Sequence, residues 1–120
     1  MINSDVPEII LTVLFYKTEN GKEPVRDWLK SLPDNYKKLI GEDIKTVQYG
    51  WPIGMPVVRK LDEGLWEVRT NIKDGIARVF FTVMTDTIVL LHGFIKKSQK
   101  TPKEDLMVAK DRKKKVRGMF

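Results

Sequence analysis

The hydrophobic pattern from Leu61 to Pro102 reads as three consecutive antiparallel strands separated by two short polar reversals, the first strand alternating on a two-residue period. In the first run Glu67, Arg69 and Asn71 alternate with Trp66, Val68 and Ile72, the pattern of a strand with one face on a core and one toward water. Asp74-Gly75 follows and signals a hairpin, because glycine accepts the positive φ of a type I′ turn. With those two residues as the loop, Asn71 pairs with Arg78 and Arg69 with Phe80. Arg69 and Arg78 then share a face as diagonal neighbours at roughly 7–8 Å. A second strand runs over Ile76–Val83, a second reversal over Met84–Thr87, and a third strand over Ile88–Ile95, apolar except for His92 and Gly93.

The flanking segments add helices. Ile9–Tyr16 is an apolar run and reads as a strand buried on both sides. Pro24 opens a short helix with Val25, Trp28, Leu29 and Leu32 on one stripe, ended by Pro33. Asp34 is placed to cap a second helix carrying Tyr36, Leu39, Ile40, Ile44 and Val47, the two helices forming a hairpin across the sheet. Two prolines and a glycine make 51–56 irregular, and Val57–Lys60 suits a short edge strand. Thr101-Pro102-Lys103-Glu104 is a capping box for a last helix with Leu106, Ala109 and Lys113 inward, fraying into the basic run 110–117. The expected fold is α+β, one domain over residues 1–120. It has a small, mainly antiparallel sheet, an N-terminal helical hairpin and a C-terminal helix.

Composition narrows the chemistry. There is no cysteine, which excludes disulfides, thiolate zinc sites and cysteine nucleophiles. The single histidine excludes a histidine-based metal site. No glycine-rich phosphate loop follows a strand. The carboxylate pairs Asp62-Glu63 and Glu104-Asp105 sit at a turn and a helix start, where capping and solvent roles are ordinary. The eight-residue apolar run Ile9–Tyr16 is too short to cross a bilayer and lacks a basic leader, so a cytoplasmic chain with no membrane association is expected.

Charge is uneven. Residues 96–120 hold 10 Lys/Arg against 3 Asp/Glu, and the rest of the chain is close to neutral. Such local basicity is an electrostatic footprint for a polyanion, or else a solvated tail. Arg69, Arg78, Lys96, Lys97 and Lys100, with His92 nearby, suit a phosphodiester: guanidinium forks match phosphate oxygens and lysine adds a mobile charge. Lys103, Lys113, Lys114 and Lys115 extend the basic surface. Metal-free RNA cleavage needs a stabilised dianionic transition state and two proton transfers, for which a lysine among cations or His92 could serve. The bland readings are a cross-strand network of the arginines with Glu67, solvated lysines, and a histidine satisfied in the core. An anion site requires both guanidinium groups on one side of the sheet and not taken up by buried acidic partners.

The segments GLWEVR, ARVFF and LLHGFIKKSQKTPKEDLMVAKDR, with VRDWLKSLP upstream, resemble the HigB-like branch of the RelE/ParE toxin superfamily, including its phage-derived relatives. The resemblance implies the toxin of a type II toxin–antitoxin pair, an endoribonuclease that cleaves mRNA on the ribosome with neither metal nor cofactor. It also implies a small antitoxin partner with a helix-turn-helix DNA-binding domain. Arg69, Arg78, Lys96, Lys97 and Lys100 fall where the family places its phosphate-binding and catalytic cations, and His92 is a further carry-over. Some relatives use a tyrosine near the C-terminus, whereas the last tyrosine here is Tyr49, which leaves the general base open. The alternatives are a gyrase-type inhibitor that cleaves nothing, as in the ParE branch, and an inactive RNA-binding remnant.

Overall fold

The computed structural model describes residues 10–97 and 102–119. Its elements are β1 (Thr12–Phe15), α1 (Pro24–Lys30), α2 (Asp34–Gly50), β2 (Val58–Asp62), β3 (Leu65–Ile72), β4 (Gly75–Met84), β5 (Thr87–Lys96) and α3 (Lys103–Met119). They form one five-stranded sheet in the order β1-β5-β4-β3-β2. Strands β2 to β5 are antiparallel to their neighbours, but β1 pairs with β5 in parallel, so the α+β fold carries a mixed sheet.

Each face of the sheet has its own core. On one side Val68, Ile72, Ala77, Val79, Phe81, Ile88 and Leu90 meet Val25, Ile40, Ile44 and Val47 from α1 and α2. On the other, Leu65, Phe80, Val89, Leu91 and Phe94 meet Ala109 and Val116 from α3. Trp51 packs edge-on against Trp66 and Phe81 in the first core, at 4.9 and 5.5 Å between ring centroids. These tryptophans, with Trp28, are packing residues, as the sequence suggests.

Several expectations change. Of the expected strand Ile9–Tyr16, Ile9 lies outside the described residues and the strand covers Thr12–Phe15, with Ile10 and Leu14 exposed, because among the described residues only β5 flanks it. The helical hairpin is instead two helices on separate strands: α1 lies over β5 and β1, α2 over β3. Asp34 is the first helical residue of α2 and makes no cap; Pro33 holds the cap position. The basic run 110–117 is helical throughout rather than frayed. Of the expected capping box, Thr101 lies outside the described residues, and α3 begins at Lys103.

The first hairpin is also one residue off. Ile72 pairs with Gly75, so Lys73 and Asp74 form the loop, and Arg69 stands directly opposite Arg78. Neither loop residue has positive φ, whereas Gly75, the first residue of β4, does, at +145°. A Cβ there would come within 2.7 Å of the Lys96 carbonyl oxygen, so the glycine serves the strand rather than the turn. The Tyr36 hydroxyl, donating to Asp74 Oδ2 at 2.8 Å, ties this turn to α2. Among the described residues, no helix is long and apolar enough to cross a membrane.

Candidate functional site

The expected wet face of β3 and β4 is the second core face: Glu67 and Arg78 on it are buried, Arg69 is partly buried, and Asn71 at its end stays exposed. Glu67 on β3 has no exposed surface, and its Oε1 accepts from Arg69 Nη1 at 2.8 Å and pairs with Arg59 Nη2 at 3.1 Å. The antiparallel registers explain the grouping: Arg59 pairs with Glu67 across β2–β3, and Arg69 with Arg78 across β3–β4. Directly opposed residues share a face, so the three arginines converge on one carboxylate.

One of the two conditions for an anion site holds and the other does not. The guanidinium groups of Arg69 and Arg78 lie on the same side of the sheet. A buried acidic partner, Glu67, already occupies the space beside Arg69. Arg78 is fully buried. Burial pushes its pKa below the usual arginine value; Glu67 opposes this, Arg69 and Arg59 push it further down, and Asp105 opposes again. Arg78 is therefore part of the cluster's interior rather than a surface that substrate touches. Arg69 keeps about a tenth of its side chain exposed and Arg59 about a third.

His92 adjoins this cluster. Across β4–β5, Phe80 pairs with His92 but Phe81 with Leu90, so Leu91 is an extra residue on β5. The bulge turns both Leu91 and His92 toward α3. His92 Nε2 lies 2.6 Å from Asp105 Oδ1 in the first turn of α3. Charged groups of both signs thus run across one face of the sheet from Arg59 through Glu67, Arg69 and Arg78, and Asp105 of α3 links them to His92.

The lysines divide into two groups. Lys96 and Lys97, at and just beyond the end of β5, and Lys103 at the start of α3 are exposed beside the arginine end of the sheet. Lys100 lies outside the described residues. Lys113, Lys114 and Lys115 are not brought to the cluster. Lys113 donates to the Glu63 carbonyl at 2.6 Å and Lys115 pairs with Asp111 at 3.1 Å. At 1.5 Å rise per residue, Lys113 is roughly 12 Å along α3 from Asp105.

Sequence reasoning missed Arg59 and Asp105. Arg59 was readable only as part of a short edge strand, and its contact with Glu67 depends on a β2–β3 register that the Asp62-Glu63-Gly64 turn does not announce. Asp105 looked like an ordinary first-turn acid, and nothing local reveals that it faces a histidine 13 positions earlier.

A family model described as phage derived protein Gp49-like (DUF891) matches residues 27–114. That span contains Arg59, Glu67, Arg69, Arg78, His92 and Asp105. No curated protein matches the chain.

Proposed function

Since the chain belongs to the phage-derived Gp49-like family, which is RelE/ParE-type and toxin-like, we propose that it is an endoribonuclease toxin that cleaves mRNA, on the ribosome. The family is associated with toxins of toxin–antitoxin systems and so implies an antitoxin partner. In this reading that partner is a small protein with a helix-turn-helix domain. One observation carries the catalytic part: Arg59, Arg69 and Arg78 gather on one face of the sheet, and a partly exposed histidine lies beside them. The scissile phosphate is placed at the exposed rim formed by Arg69, Lys96, Lys97 and Lys103. Arg78 and Glu67 beneath it orient Arg69 and supply background potential. Cations gathered at this rim stabilise the dianionic transition state more than the singly charged ground state.

Induced expression should arrest growth, and end-mapping of transcripts should show new ends inside translated frames. Arg69→Ala should abolish both effects, and because it also removes a partner of the buried Glu67, a denaturant melt of the variant separates lost activity from lost folding. A fully toxic Arg69→Ala chain overturns the reading. The burial of Arg78 and Glu67 favours a second one, a gyrase-type inhibitor whose cations serve stability. Growth arrest with intact transcripts and inhibited DNA supercoiling would select it.

A further inference from the structure

His92 is the chain's single histidine, and it is held from two directions. Its ring is flanked by Phe80 and Phe94, with centroids at 6.2 and 5.6 Å. Its Nε2 meets Asp105 Oδ1 at 2.6 Å, and the two side chains keep 20% and 19% of their surface exposed. A carboxylate can only accept, so Nε2 carries the proton and Nδ1 is the nitrogen left for exchange. The charged groups around the ring are few. Asp105 comes from α3, Arg78 lies diagonally across on β4, and Arg112 of α3 donates to the Leu91 carbonyl at 2.8 Å. Asp105 also acts on Arg78, so one carboxylate faces both the histidine and the arginine cluster.

We propose that Asp105 is a positioning residue for proton transfer by His92: its carboxylate fixes the proton on Nε2 and presents Nδ1 to the RNA phosphodiester as the general acid. This rests on the nuclease reading. The ribose 2′-oxygen forms its bond to phosphorus as the bond from phosphorus to the 5′-oxygen breaks. The 5′-oxygen takes the proton from Nδ1 of the imidazolium, and the 2′-hydroxyl proton passes to water. The products are a 2′,3′-cyclic phosphate and a 5′-hydroxyl, with a neutral imidazole still bonded through Nε2–H to Asp105 and reprotonated from solvent. Without Asp105 the ring is free to turn and to exchange tautomers, so the acid is present but misdirected.

A lone histidine makes the test direct. Long-range proton–nitrogen spectra of the labelled full-length chain should show the Nε2–H tautomer in the wild type, a mixture in Asp105→Ala, and recovery in Asp105→Glu. With mRNA on translating ribosomes, His92→Gln should lose about 10²-fold or more in kcat, the usual range for a general acid. Asp105→Ala should lose on the order of 10-fold in kcat with KM unchanged. An Nδ1–H tautomer in the wild type overturns the inference. So does an Asp105→Ala chain that melts earlier yet keeps the wild-type spectrum and kcat, since the pair is then only a tie between α3 and β5. A wild-type chain that cuts no RNA removes the nuclease reading and the transfer step together, while the spectra still decide whether Asp105 holds the proton on Nε2.

Discussion

Glu67 is the residue on which the cluster's stability turns. Its carboxylate is fully buried, holds Arg69 and Arg59 through one oxygen, and sits among three guanidinium groups. Its Oε2 accepts no hydrogen bond from the described residues, so the anion is retained for its charge rather than for a complete set of bonds. Glu67→Gln should cost about 3–5 kcal/mol, the range for removing one partner of a buried pair, because it leaves like charges facing one another. Denaturant melts of the two chains measure this directly. Gly93 is the second sensitive residue, for a steric reason. A Cβ would lie 2.5 Å from Cε3 and Cζ3 of Trp28, so Gly93→Ala should destabilise by about 1–3 kcal/mol, read from the same melts. Side-chain parity was legible in the sequence: Arg69 and Arg78 share a face whichever of the two registers is chosen, since a shift of two residues preserves parity. The side chosen by His92 was not. Counting from Ile88 and Leu90 puts it against α1 and α2, counting back from Lys96 puts it against α3, and only the bulge at Leu91 decides.

At the scale of elements, α3 is docked by a row of cation contacts along its length. Lys110 pairs with Asp62 at 3.3 Å, Lys113 bonds the Glu63 carbonyl, Arg112 the Leu91 carbonyl, and Arg117 the Thr82 hydroxyl at 3.3 Å. The basic run read as a solvated or RNA-binding tail is thus partly a fastening for the helix, and that use could not be inferred without knowing where the β2–β3 turn lies. Asp62 makes this docking pH-dependent. Its pKa is held below the ordinary 3.8, first by a hydrogen bond to the Glu63 backbone and then by Lys110. A depressed carboxylate contributes stability above its unfolded pKa and loses it as pH falls through the folded value. Stability should therefore drop below about pH 4, and Asp62→Asn should flatten that part of the curve; denaturation midpoints between pH 2 and 6 test it, with only a small effect expected for a pair half exposed to solvent. The three antiparallel strands were legible because their turns and alternation agree. The edge position of β1 was not, because a run of apolar residues interrupted only by Thr12 reads the same in the centre of a sheet as beside a loop.

For the molecule as a whole, the two-sided core separates positive charge into regions with different tasks. The exposed lysines Lys96, Lys97 and Lys103 surround the arginine end of the sheet, whereas Lys113 is used in the β2–β3 contact roughly 12 Å further along α3. Under the nuclease reading, a short single-stranded RNA should release counterions only from the first region. The slope of log K against log salt changes by about 0.7 per phosphate contact on single strands, so replacing Lys96, Lys97 and Lys103 together by alanine should flatten it by about 2. Replacing Lys113, Lys114 and Lys115 together should leave that slope unchanged on the short RNA while lowering thermal stability through the lost Glu63 contact. Anisotropy titrations over a range of potassium chloride concentrations read the first effect and melting curves the second. Equal flattening by both triple variants would mean that RNA runs along α3 itself, and the phosphate site at the sheet's rim would have to be abandoned in favour of the helix surface.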